Sequence, residues 1–135
     1  SLWVGALRAV DVHPIEGWGW TGIWRDSIPP FAGIEWSVGR EHSSALNAYL
    51  DVALQVGVVG LALFLALCAF AVIRSWLLAS NRRTVTYAWP ALILVALLTT
   101  GLAESFPLIE AGWLLLVICA VKASESQSWR SRLPA

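Results

Sequence analysis

The chain has 135 residues, of which 58% are hydrophobic and 13% charged, and its formal net charge is zero. Soluble domains average about 25% charged residues, so the composition points to lipid contact. It excludes a disordered acidic or basic tail and offers no basic tract for nucleic acid.

The charge balance hides an asymmetry. Residues 1–51 carry Arg8, Arg25 and Arg40 against Asp11, Glu16, Asp26, Glu35, Glu41 and Asp51. The remainder carries Arg74, Arg82, Arg83, Lys122, Arg130 and Arg132 against Glu104, Glu110 and Glu125. Methionine is absent and no signal-peptide pattern opens the chain. The expectation is the C-terminal piece of a longer membrane protein.

From the N-terminus, Leu2, Trp3, Ala6, Leu7 and Val10 recur at helical spacing with Arg8 and Asp11 on the other side. This predicts an amphipathic helix over residues 1–12, stopped at His13-Pro14 because proline cannot continue a helix. Residues 13–44 hold many Gly and Pro and no sustained period, which predicts an extracytoplasmic loop. Trp18, Trp20, Trp24, Phe31 and Trp36 fit such a loop at a membrane interface, where indoles are favoured. An interfacial helix is expected over 45–56, capped by Ser43 or Ser44. Leu46, Tyr49, Leu50, Ala53 and Leu54 form its apolar stripe, with Asn47, Asp51 and Gln55 on another face. Three transmembrane helices are expected over about 57–76, 84–103 and 106–121, because each run is apolar all round instead of on one stripe. A cytoplasmic tail follows over 122–135. Arg74, Arg82 and Arg83 lie after the first span and Lys122, Arg130 and Arg132 after the third, whereas the connection between the second and third carries only acid. The positive-inside pattern puts these basic segments in the cytoplasm and residues 1–51 outside. The fold class expected is an all-α polytopic membrane protein fragment. Cys68 and Cys119 read as small core residues.

Two stretches carry a further signal. Trp3 is followed by His13-Pro14-Ile15-Glu16-Gly17-Trp18-Gly19-Trp20. Then come Leu46-Asn47-Ala48-Tyr49-Leu50-Asp51, Gln55-Val56-Gly57-Val58-Val59-Gly60-Leu61 and Phe64. In order and spacing they resemble the C-terminal half of the O-antigen ligase and polymerase family, over roughly residues 1–121. The resemblance implies a multi-pass glycosyltransferase of the bacterial cytoplasmic membrane, acting in cell-surface polysaccharide assembly. It implies inverting, metal-independent transfer of a glycan from an undecaprenyl-pyrophosphate carrier to an acceptor hydroxyl outside the cell, with no cofactor. Its partners would be a lipid-linked glycan donor, a glycan or lipid acceptor and membrane lipid. Ligase and polymerase share these motifs, so either activity fits. A non-catalytic membrane scaffold or transport module is the alternative.

Such a transfer needs a base for the acceptor proton and cations for the leaving pyrophosphate. The family's base is a His immediately before the Asn of the second motif, where this chain has Leu46. His42 stands four residues earlier, one helical turn if helix extends back to it. It is the substitute base, or the activity is lost or altered. Arg40 is the first candidate for the pyrophosphate and Arg25 the next, with Arg8 a third. Asn47, Tyr49 and Asp51 match the motif as substrate-binding candidates, and Trp18 and Trp20 offer indole faces to sugar rings. Glu35 and Glu41 are alternative bases. No metal-ligand spacing, phosphate loop or nucleophile elbow occurs.

Overall fold

The computed structural model describes residues 2–25, 27–39, 43–81 and 87–125, and only the backbone at residues 35–38, 110 and 125. It is all-helical, with no strand among the described residues. The order is α1 (Leu2–Val12), α2 (Phe31–Val38), α3 (Ala48–Asn81), α4 (Trp89–Thr100), a 3-10 turn (Phe106–Leu108) and α5 (Glu110–Glu125).

α1 ends at the His13-Pro14 stop. Its buried face is Ala6 and Ala9, whereas Trp3, Val4 and Leu7 are exposed. Of the stripe's large apolar residues, Leu2 and Val10 are half-buried and Trp3 and Leu7 exposed.

The expected loop over 13–44 is corrected by α2. The helix starts directly after Pro30, whose carbonyl accepts from Gly33 N and Ile34 N at 3.1 Å. Proline suits a first helical position because its fixed φ is already helical. Phe31 and Ile34, three apart, are buried on one face with Trp24, Ala45 and Leu54. That contact outweighs the Gly and Pro content that reads as loop.

The expected helix over 45–56 and the first span lie in α3 as two helical segments on either side of a kink at Gly57 (φ 71, ψ −176). What differs is the outer bounds, since α3 starts at Ala48 and continues to Asn81, beyond the expected end at 76. This is the one helix among the described residues long and apolar enough to cross a membrane. In its most apolar stretch only 17% is buried within the protein. The second run is shorter as a helix than expected: α4 covers Trp89–Thr100, with Pro90 in its first turn. The third run opens with the 3-10 turn before α5, which continues to Glu125, four residues into the expected tail. Residues 82–86 and 126–135 lie outside the described residues.

α3, α4 and α5 pack on one another around Val52, Phe64, Cys68, Leu94, Leu97, Leu116 and Cys119. Both cysteines are free and buried. Ala48 N donates to Gly101 O at 2.8 Å, so the start of α3 meets the end of α4 and the two run antiparallel. Asp51 and Glu104 therefore lie toward one end of the bundle, and Arg74 and Lys122 toward the other.

Candidate functional site

The two sequence motifs meet at the break in α3. A continuous helix would bond Val58 N to Leu54 O. Here Val58 N donates to Pro14 O at 2.7 Å, while Leu54 O accepts from Trp18 N at 3.0 Å and Gln55 O from Gly19 N at 2.8 Å. The Pro14–Gly19 segment thus supplies partners for backbone groups that the break releases, as buried amides require. Two glycines make this approach possible. Gly57 has φ 71, and a Cβ there would be driven into the Ile15 carbonyl. Gly17 has φ 68, and its Cβ would lie 2.6 Å from the Gln55 carbonyl and from Gly57 N.

Gln55 completes the clamp. It is fully buried, its Oε1 accepts from Thr21 N at 2.8 Å and Gly22 N at 2.9 Å, and its Nε2 donates to Gly22 O at 3.3 Å. Sequence reasoning left Gln55 without a role. A polar residue inside an apolar helix, one turn from Asp51, is the signal that identifies it.

A second tier lies one turn toward the start of α3, about 6 Å from Gln55 at 1.5 Å per residue. Asp51 is buried. Its carboxylate accepts from Trp24 Nε1 at 2.7 Å, from Ala45 N at 3.1 and 3.2 Å, and from the Ser105 hydroxyl. One acid thereby ties together the loop, the segment before α3 and the turn after α4. Trp24 also stacks on Phe31, with ring centroids 5.2 Å apart.

Asn47 caps α3, correcting the expected cap at Ser43 or Ser44. Its Oδ1 accepts from Tyr49 N and Leu50 N at 3.1 Å, and its Nδ2 donates to Leu102 O at 3.0 Å. Ser44 Oγ instead accepts from Leu46 N at 3.3 Å, a local turn of the kind serine favours. Tyr49 directs its hydroxyl to Leu98 O on α4 at 2.8 Å. The polar atoms of Asn47, Tyr49 and Asp51 are all engaged within the fold.

Trp18 donates its indole N–H to Ala9 O at 2.8 Å and meets His13 edge-on at 4.5 Å. His13 also lies 3.2 Å from Glu16. Trp20 is exposed. Trp3, absent from the expected site, donates to Ala45 O at 2.9 Å. Arg25 is exposed, and Trp24 N beside it donates to Ser43 O at 3.0 Å. Arg40, Glu41 and His42 lie outside the described residues, as do Asp26 and the side chain of Glu35. Among the described residues no group of three or more His, Cys, Asp or Glu is placed to hold a metal ion.

Leu46 is exposed and left-handed (φ 53). That conformation costs an L-residue about 1–2 kcal/mol. Leu46→Gly is therefore expected to raise stability by about 0.5–1 kcal/mol, the relief of strain outweighing the chain entropy of glycine. A denaturant titration of both proteins measures it, and a lower midpoint for the variant would contradict it.

A groove of about 310 Å³ runs between α1 and α2. Val12, Trp18, Pro30 and Ile34 line it, with Arg8 the charged residue in its wall. No family model matches the chain, and neither the curated proteins nor the solved structures contain a match to it.

Proposed function

We propose that the chain is part of a polytopic protein of the bacterial cytoplasmic membrane and transfers a glycan from an undecaprenyl-pyrophosphate carrier to an acceptor hydroxyl on the extracytoplasmic face. The activity is ligase-like, or that of a lipid-linked oligosaccharide polymerase of the same family. One observation carries the reading. The two stretches that resemble the family, joined by backbone bonds between residues 36 to 44 apart in the chain, form one structural unit in which each supplies backbone partners to the other.

In this reading α3 crosses the bilayer from Val58 onward, and α4 and α5 with their flanks complete three spans. His42 takes the acceptor proton. Arg40 and Arg25 bind the leaving pyrophosphate, for which a guanidinium fork is suited. Asp51 holds Trp24, the neighbour of Arg25, and Ala45 through their N–H groups. The groove beside Arg8 offers an apolar wall for the lipid chain with a cation at its rim.

A second reading, a non-catalytic membrane module, is favoured by Leu46 and by the internal bonding of Asn47, Tyr49 and Asp51. Leu46→His separates the two. Histidine tolerates positive φ better than leucine, and position 46 is exposed. In membranes containing the full-length protein and carrier-linked glycan, His42→Ala combined with Leu46→His is expected to recover at least tenfold of the transfer lost in His42→Ala alone. Transfer absent from wild type and from every variant would favour the non-catalytic module.

A further inference from the structure

We infer that Ile15, Trp20 and Ile23 form a lipid-contacting collar that seats the outer loop in the headgroup and upper acyl layer at the level of the Gly57 break. This rests on the membrane reading proposed above and adds a surface to it. The three side chains are 66%, 56% and 63% exposed.

Their placement comes from the backbone. Ile15 follows Pro14, whose carbonyl binds Val58 N, and its own carbonyl faces Gly57. Trp20 follows Gly19, which is bonded to Gln55 O. Ile23 follows Gly22, which is held by the Gln55 side chain. The backbone next to each of the three is thus tied to the Gln55–Val58 stretch of α3, where Val58 and Val59 are exposed.

The length of α3 agrees. Eighteen residues separate Val58 from Trp76, which is exposed; at 1.5 Å per residue this is about 27 Å, close to the ~30 Å of a bilayer core. Trp20 and Trp76 then occupy the two interfaces, where indole is favoured. A lipid surface accounts for the apolar side chains, their backbone ties to α3 and the spacing together.

The test uses the full-length protein in phosphatidylcholine–phosphatidylglycerol vesicles. A nitroxide is attached to cysteine placed singly at Ile15, Trp20, Ile23, Leu63 or Glu104, with the buried Cys68 and Cys119 left in place. Collisions with oxygen and with a water-soluble nickel chelate are compared. Ile15, Trp20, Ile23 and Leu63 are expected to favour oxygen, the first three at shallower depth, and Glu104 to favour the chelate. Chelate access at the three collar positions with oxygen preference at Leu63 would overturn the collar and leave the membrane reading standing. Chelate access at Leu63 as well would overturn both. Exclusion of both reagents from the collar would mean that protein covers it, which also overturns the proposal. Where a labelled variant does not fold, the quenching lost between wild type and Trp20→Phe in brominated lipid reports the same contact, and no loss would count against the collar.

Discussion

Gly57→Ala is expected to detach the Pro14–Gly22 loop from α3. A methyl group at this position meets the Ile15 carbonyl, and alanine is strained at φ 71. The helix has an easy escape: it straightens, and Val58 N returns to Leu54 O. Trp18 N, Gly19 N and Pro14 O then lose their partners, because all three bonds depend on the break. Left-handed strain of about 1–2 kcal/mol, overpacking of about 1–3 kcal/mol and bonds worth about 0.5–1.5 kcal/mol each are alternative costs of one event, so they do not add in full. A loss of about 3–5 kcal/mol is expected. Trypsin cleavage at the exposed Arg25 would accelerate at least tenfold. Gly33→Ala, where a Cβ meets nothing within 4 Å, serves as the control and is expected to leave cleavage unchanged. Equal cleavage rates for wild type and Gly57→Ala would show that the loop does not depend on the break.

Asp51→Ala is expected to cost about 3–4 kcal/mol. It removes the shared acceptor of Trp24 Nε1, Ala45 N and the Ser105 hydroxyl, and a buried donor left unsatisfied costs about 1–3 kcal/mol. The hydroxyl of Ser105 can rotate to another acceptor, whereas the two N–H groups cannot. Asp51→Asn should cost less, about 1–2 kcal/mol, because its oxygen still accepts from Trp24 and Ala45 while its NH₂ replaces the oxygen nearest Ser105. Urea unfolding in detergent, followed by the fluorescence of Trp24 stacked on Phe31, orders the three proteins. Asp51→Ala as stable as wild type would mean that the carboxylate does not hold the loop.

Local signals made parts of this fold legible. His13-Pro14 ended α1 where the structure ends it, and the long apolar run announced α3. The apolar residues from Val58 to Ile73 carry no competing pattern, so their helix is read without help from the rest of the chain, whereas its continuation to Asn81 past Arg74 and Ser75 is not. α2 was hidden because Pro29, Pro30 and Gly33 are strong turn formers, and only the burial of Phe31 and Ile34 against Trp24 and Leu54 makes that stretch helical. The cap of α3 was misplaced for a related reason: Ser43, Ser44 and Asn47 are all good caps by type, and the bond from Asn47 to Leu102 that selects among them joins distant parts of the chain.

The candidate site was legible as residue types and opaque as geometry. Gly17 and Gly57 each stood out within its motif, yet no local pattern says that one packs on the other's backbone. Trp18 and Trp24 offered aromatic faces, and indole N–H groups find acceptors when buried. Their acceptors, Ala9 O and Asp51, again depend on the tertiary fold. Asp51 and Gln55 read as a polar face of a helix; the structure turns that face inward to bind the loop.

The most direct measurement of the proposed function is release of undecaprenyl pyrophosphate from carrier-linked glycan by membranes holding the full-length protein, wild type against His42→Ala, at matched protein levels. Release by wild type, with a loss of at least a hundredfold in His42→Ala, is the result expected of a glycan transferase whose base has moved from position 46. Equal release by the two proteins would remove His42 from the mechanism, and no release by wild type across a range of donors and acceptors would contradict the transferase itself.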